Sequence, residues 1–314
     1  MTRHADSVWS AVSSRGDHAP HTLSWRRCVM QHGLDPAAHR RPPRVTEAEL
    51  RIAAERAGDM VAAAVPEMDR LFEAFGRAGC CLVLTDSTGL ALERRGRPGD
   101  DAEFRSLGLW SGTLWNEANV GTNGIGTALA EQRSVGIHRD AHFLSMNTGL
   151  SCATAPIRDH RGRLAGALDI SSARYDMNEA LLGVFLHSAR GAAQQIETTL
   201  FRNAFPGARV VLAPGCASRH GLLALDRDDI VIGATAAARQ ALGIDDDWIA
   251  AGHGAGDLLD EDTGERPAGF EDAERRTVRT ALAQCAGNVS AAARMLGISR
   301  ATLHRKIKRH GLRR

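Results

Sequence analysis

Gly287-Asn288-Val289-Ser290-Ala291-Ala292-Ala293-Arg294-Met295-Leu296-Gly297-Ile298-Ser299-Arg300-Ala301-Thr302-Leu303-His304-Arg305-Lys306-Ile307-Lys308 reads as two short helices joined by a glycine turn. Val289, Ala292, Ala293 and Leu296 share one helical face, and Asn288 is placed to cap it. The alanines let another helix approach closely. Gly297 permits a tight turn, and Ser299 caps the next helix, whose inner face is Leu303 and Ile307. Upstream, Val278, Ala281, Leu282 and Cys285 recur at helical spacing, which predicts a helix from about Glu271 to Ala286 ended by Gly287. Two helices in this arrangement form a helix-turn-helix.

Charge supports that reading. From Arg275 to Arg314 the chain carries eleven Arg and Lys and no Asp or Glu, whereas the first 274 residues hold 28 basic and 37 acidic residues. A basic end joined to an acidic remainder points to nucleic acid as the partner. The N-terminal residues of a second helix sit on base edges, and Ser299, Arg300 and Thr302 occupy that place. Arg300 suits a bidentate contact to guanine. Asn288, Thr302, Arg305, Lys306 and Lys308 suit phosphates, and Ser290 joins the same binding set. A charge run alone describes a solvated basic helix that binds RNA or an acidic protein. The glycine and cap spacing favours double-stranded DNA.

A chain of 314 residues is expected to hold two or three domains. It has no apolar run of membrane-spanning length and no apolar signal core, so a cytoplasmic protein with no membrane partner is expected. Six scattered cysteines without a CxxC pair fit a reducing compartment.

Residues 1–21 lack periodicity and are expected to be disordered. A short helix begins at Ser24-Trp25 and ends near Gly33. Thr46 and Glu49 form a capping box for a long helix, which Pro66 is expected to kink or break. The strand Cys80-Cys81-Leu82-Val83-Leu84-Thr85-Asp86 turns at Ser87-Thr88-Gly89 into Leu90-Ala91-Leu92-Glu93. Further strands are expected at Ser134–Ile137, Ala153–Arg158 and Leu164–Ser171, followed by a long helix from Met177 to Leu200. No helices alternate regularly with these strands, so the fold class is α+β, an antiparallel sheet with flanking helices, ahead of the all-α tail. A second small unit from Gly221 to Leu259 reads as strand, turn, strand and a helix from Thr235 to Leu242. A linker follows at Asp260–Pro267.

Three resemblances attach to these residues. Thr280 to Leu312 resembles the Fis-type helix-turn-helix of bacterial enhancer-binding regulators. That resemblance implies a homodimer on a near-palindromic site, with the helix at Glu271–Ala286 as its seam. Ser24 to Arg202 resembles the N-terminal part of acetoin-catabolism-type, sigma-54-dependent activators, including their GAF sensor domain. The matching pieces are Ser24-Trp25-x-Arg27-Cys28, Leu84-Thr85-Asp86-x-x-Gly89, Trp115-Asn116-Glu117-x-x-Val120-Gly121-Thr122-Asn123-Gly124-Ile125-Gly126-Thr127, Cys152 with Ala155-Pro156-Ile157, and Gly162-x-Leu164-x-Gly166-x-Leu168-Asp169-Ile170-Ser171. It implies a GAF-like antiparallel sheet and a pocket for an unidentified small-molecule effector. Trp110, Trp115, Asn116, Asn119, Thr122, Asn123, His142, Phe143 and Cys152 are the candidate pocket residues. For Trp110, Trp115 and Phe143, core is the better reading and ligand stacking the alternative. The unit at 221–259 resembles the opening of a PAS domain, cut short. The domains are then 1–45, a flexible N-terminus and linker; 46–202, a helical lead-in and GAF-like sensor; 203–267, a truncated PAS-like segment and linker; and 268–314, the DNA-binding domain.

Regulators of this type carry a central AAA+ ATPase. This sequence has no Gly-x-x-x-x-Gly-Lys-Ser/Thr phosphate loop, so neither ATPase activity nor direct sigma-54 remodelling is expected. The protein is expected to be a non-enzymatic, ligand-responsive regulator of transcription. The alternative is a truncated paralogue that pairs with a full-length activator and tunes it. RNA polymerase and such a paralogue are the protein partners left open.

Gly121–Gly126 matches no nucleotide-binding pattern and reads as a turn ahead of a helix at Thr127–Glu131. His138, Asp140, His142 and Cys152 raise the question of a metal or haem site, since the first three alternate in sequence, a spacing that can put ligands on one strand face. Polar strands show the same spacing by chance, and neither metal nor cofactor is assigned. Where the acetoin-regulator pattern has Glu before the matching His-Phe, Ala141 stands before His142-Phe143, so that carboxylate's role is not carried over. Cys152 reads as a small buried residue rather than a redox sensor.

Overall fold

The computed structural model describes residues 3–14, 20–258, 270–285 and 287–312. Residues 1, 2 and 15–19, the linker expected at 260–267, and Ala286 lie outside the described residues. The chain forms two compact units, Met1–Asp159 with Arg163–Leu200, and Phe201–Arg314 with His160–Gly162.

The first unit begins with helices α1 (Arg3–Ser13) and α2 (Pro20–Met30). At the described residues, Arg3–Ser13 and from Pro20 on, this corrects the expectation of disorder over residues 1–21. Ala5 and Val8 of α1 are fully buried, and Ala11 and Val12 pack beside them. The apolar stripe is only three turns long and is interrupted by His, Ser and Asp. Its partners, Trp25 and Leu144, are distant in sequence, so local periodicity gave no warning.

Thr46 and Glu49 form the expected capping box at the start of α3 (Glu47–Arg56). The break then falls at Ala57, and α4 (Gly58–Phe75) runs through Pro66 without ending. Pro66 removes one backbone donor but not the apolar face. Met60, Ala63, Ala64, Met68 and Leu71 stay buried on either side of it. Tertiary packing therefore outweighs the lost hydrogen bond.

Strands β1 (Cys80–Asp86) and β2 (Ala91–Arg95) form the expected hairpin. Helices α5 (Asp101–Leu107), α6 (Glu117–Val120) and α7 (Gly124–Glu131) follow, then β3 (Val135–His138), β4 (Ser151–Arg158), β5 (Leu164–Ser172) and the long α8 (Glu179–Ala204). The sheet order is β2-β1-β5-β4-β3, with every neighbouring pair antiparallel. The pleat sends alternate residues to opposite faces. Leu82, Leu84, Ala153, Ala155, Leu168 and Ile170 meet α4 and α8 on one face. Cys81, Val83, Cys152 and Ala167 meet Trp115, Ile125, Phe143 and the two N-terminal helices on the other.

In the second unit, β6 (Arg209–Leu212), β7 (Leu222–Leu225) and β8 (Val231–Ala234) form an antiparallel sheet, with α9 (Ala236–Leu242) and α10 (Asp246–Ala250) beside it. The sequence reading anticipated β7, β8 and α9 but not β6 or α10. Leu223, Leu225, Val231, Ala238 and Ile244 make its core. Helices α11 (Phe270–Gln284), α12 (Val289–Met295) and α13 (Arg300–Arg309) close the chain. Among the described residues no helix is long and apolar enough to cross a membrane.

Phe185 of α8 is fully buried between the sheet and α4, its ring centroid 5.0 Å from that of Phe75 with the two planes tilted by 58°. Phe185→Ala is expected to cost about 3–5 kcal/mol, measured as a lower urea midpoint with an unchanged slope.

Candidate functional site

The three tail helices share a core of Val278, Ala281, Leu282, Val289, Ala292, Ala293, Leu303 and Ile307. Gly287 and Gly297 lie in the left-handed region, at φ 79° and 64°. The Asn288 side chain accepts from the backbone N–H of Ser290 and of Ala291, both at 3.1 Å. The Ser299 hydroxyl accepts from the Thr302 N–H at 3.1 Å and meets the Thr302 hydroxyl at 2.8 Å. Both turns thus have the caps that the sequence implied.

With Leu303 and Ile307 turned inward, α13 presents Arg300, Arg305 and Lys308 on its exposed side. Ser290 is exposed on α12. Lys306 lies elsewhere. Its ammonium is bound to Glu274 of α11, and the His310 ring contacts the same carboxylate at 3.0 Å. Hydrogen bonding from Lys306 holds the Glu274 carboxyl below its usual range. Sequence reasoning missed this because Glu274 stands just before the acid-free tail, a full helix away from Lys306.

In the first unit, two polar arrangements lie among the apolar side chains on the inner face of the sheet. Glu117 is 4% exposed and joins α2 to α6. Arg27 Nε and Nη2 donate to its two oxygens, both at 2.9 Å, and the Ser24 hydroxyl donates at 2.6 Å. Arg27 Nη2 also reaches Glu131 at 3.0 Å, and Ser24 meets the Thr122 hydroxyl at 2.6 Å. The bonds to Glu117 raise the Arg27 pKa, so the guanidinium keeps its charge.

The second arrangement is centred on Asp169. It is 1% exposed and accepts from the Thr154 and Ser171 hydroxyls, both at 2.5 Å. Burial pushes its carboxyl up to about 6. Ser171 also reaches Cys152 Sγ at 3.1 Å, and Cys152 meets His142 Nε2 at 3.4 Å. His142 Nδ1–H donates to the Arg139 carbonyl at 2.9 Å, which leaves Nε2 as an acceptor. Burial drives the Cys152 thiol far above its ordinary pKa and lowers His142 to about 4. A thiol held this firmly protonated is a poor nucleophile. Gly124 sits over the group, and a Cβ there would lie 2.3 Å from Thr154 Oγ1.

The candidate pocket residues fall into separate groups. His142 and Cys152 meet directly. Phe143 is fully buried beside Thr122, its N–H donating to the Thr122 carbonyl at 3.1 Å. Asn116 caps α6, accepting from Asn119 N at 3.0 Å and from its side chain at 2.7 Å, and Asn123 caps α7 through Gly126 N at 2.9 Å. Trp115 is buried with its indole N–H on the Gly108 carbonyl at 3.0 Å. Trp110 lies apart, with the Arg94 and Arg105 guanidinium carbons 4.3 and 3.9 Å from its ring centroid. The alternation of His138, Asp140 and His142 does not lie on a strand. The chain leaves β3 at His138 and makes a tight turn through Arg139–Ala141.

An open cleft of about 830 Å³ adjoins that turn, lined in part by His4, His21, Trp25, His138, Asp140 and Ala141. Trp25 Nε1 donates to the Ala141 carbonyl at 3.0 Å, and His4 Nε2–H to that of Phe143 at 3.3 Å. The two N-terminal helices therefore fasten the segment that covers His142.

These arrangements have relatives. Residues 23–198 match the family model of the MimR N-terminal domain, and residues 269–310 match that of bacterial regulatory proteins of the Fis family. The first match spans more than half of the chain, which belongs to the MimR N-terminal-domain family, and its tail is a Fis-family helix-turn-helix. The chain is 34% identical over 181 residues, 58% of its length, to the acetoin catabolism regulatory protein of Cupriavidus necator, and covers 27% of that protein. It is 32% identical over 219 residues, 64% of its length, to the propane 2-monooxygenase operon transcriptional activator MimR of Mycolicibacterium smegmatis, and covers 35% of it. The chain thus spans little more than a third of these curated relatives at most. The E. coli DhaR(N)–DhaL crystal structure shares the fold, with TM-score 0.52, 19% identity, and coverage of 72% of this chain and 77% of that one. The acetoin-regulator resemblance and the α+β, GAF-like reading are both borne out.

Removing one partner of a buried ion pair strands the other. Arg27→Met is therefore expected to destabilise the first unit by about 3 kcal/mol, whereas Arg27→Met with Glu117→Leu recovers much of that loss, as chemical unfolding would measure. Acid sensitivity follows from His142. Unfolded, it titrates near 6.5; folded, it is held neutral down to about 4, so the folded state binds fewer protons between these values. The stability of the wild type relative to His142→Gln is expected to fall as pH drops from about 6.5 to about 4, and to be constant above that window.

Proposed function

We propose that this protein is a ligand-responsive, DNA-binding regulator of transcription that works in the cytoplasm as a homodimer paired through α11. The observation that carries the reading is a Fis-family helix-turn-helix on the same chain as a MimR-type N-terminal domain. The exposed side of α13 would read the major groove, with Arg300 on a base edge, Ser299 and Thr302 beside it, and Asn288, Ser290, Arg305 and Lys308 near phosphates.

We further propose that the effector is a small, uncharged, oxygenated metabolite. The relative concerned with acetoin catabolism supports that class. So does the chemistry around Asp169, where hydroxyls, a protonated thiol and a neutral imidazole offer hydrogen bonds without a fixed cation. The buried Thr85 hydroxyl belongs to the same face of the sheet and has no partner among the described residues. The effector would reach this face by loosening the Arg139–Phe143 segment. A ligand shifts DNA binding only by its affinity difference between the two states. Operator affinity that stays unchanged at saturating hydroxyketone, diol or alcohol would remove this effector class.

Mapping bound genomic sites would define the operator. On it, Arg300→Ala is expected to cost about 1–3 kcal/mol and relax one base position. Lys308→Ala is expected to weaken all sequences alike and flatten the salt slope by about 0.9, whereas Lys306→Ala, already bound to Glu274, flattens it less. Equal losses on specific and random DNA for Arg300→Ala would reassign the reading residue.

A further inference from the structure

The β7–β8 turn carries Asp226, Asp228 and Asp229, and the three do different things. Asp226 Oδ1 closes the turn, accepting from the N–H of Asp228 at 2.9 Å and of Ile230 at 3.1 Å. Asp229 takes the left-handed conformation, φ 61°, and pairs in the open with Arg209, the two side chains 60% and 62% exposed. The Asp228 carboxylate is 14% exposed and turns onto α11, one oxygen on Arg275 and the other 2.5 Å from Arg279 Nη1. Arg279 Nη2 also reaches Asp226 Oδ2 at 3.0 Å. Arg279 is itself only 16% exposed. Four residues apart, Arg275 and Arg279 lie on one face of α11. That face borders the Val278, Ala281 and Leu282 face, which packs on α12 and α13. Further along, Ala283 packs so closely on Gly252 that a Cβ at Gly252 would lie 2.8 Å from it.

We propose that the Asp226–Asp229 turn is the docking site of α11 within the chain, an ionic latch that covers the Arg275–Arg279 face and restrains DNA binding until it opens. The restraint rests on the reading of α11 as the dimer seam, because a covered face is unavailable to a second α11. An exposed surface pair would do little. This one is withdrawn from water at its Asp228–Arg279 centre, makes three contacts between two carboxylates and two guanidiniums, and spans two elements with separate cores. Salt screens a half-buried pair only weakly, so the latch opens chiefly with an effector that favours the open form.

The test uses the full chain with Asp228→Asn and with Arg279→Gln. Asp228→Asn leaves the turn bonds of Asp226 in place. Amide exchange in α11 and β7–β8 is expected to quicken in both variants, and the double variant is expected to add little to either. Both are also expected to bind a duplex more tightly, by about fivefold or more. Net charge alone gives a split pattern, with Asp228→Asn tighter and Arg279→Gln weaker. That pattern would overturn the restraint, and unchanged exchange would overturn the latch itself. If neither the wild type nor either variant held a duplex, the DNA-binding proposal would fail, while exchange would still decide whether the latch exists.

Discussion

A carboxylate placed among apolar side chains has to be paired, and the first unit is built around that requirement at Glu117. Its two oxygens are taken by Arg27 and Ser24 of α2. The arrangement ties the N-terminal helices to the loops over the sheet. α1 and α2 in turn hold the carbonyls of Phe143 and Ala141. One charge therefore fixes the order of three layers: sheet, covering loops and N-terminal helices. An apolar residue at Glu117 would pack without that direction, since apolar contacts are not directional.

The polar group around Asp169 serves differently. Its hydroxyls, thiol and imidazole bond mainly to one another, in a place where an unmade bond would cost about 1–3 kcal/mol. Such a group specifies one arrangement of strands, helix α7 and covering segment. The DNA-reading unit obeys a steric constraint instead. Ala292 and Ala293 are buried at the helix contacts, and glycines at positive φ bound α12. Larger side chains at either alanine would crowd the core that the three helices share.

Much of this was legible beforehand, for a common reason. The capping box at Thr46–Glu49, the hairpin at Cys80–Glu93 and the caps at Asn288 and Ser299 each depend on residues within a few positions of one another. Their spacing is the interaction. α1 was missed because its short stripe gains meaning only from Trp25 and Leu144. Pro66 does not end α4 because its local propensity is opposed by a buried face that continues past it. β6 and α10 have no strong pattern of their own and are held by neighbours.

The sequence alone determined the composition of the two ends: an acidic α+β sensor-like body, and a basic helix-turn-helix with its caps and turns in place. Charge, periodicity and turn chemistry are properties of neighbours along the chain. Only the tertiary structure decided which groups would spend their charge on one another. It brought Arg27 to Glu117, Lys306 to Glu274 and Asp228 to Arg279, and it left Arg300, Arg305 and Lys308 exposed. Electrostatic pairing acts over a few ångströms of space, not of sequence, so a count of charges fixes the sum but not the partners.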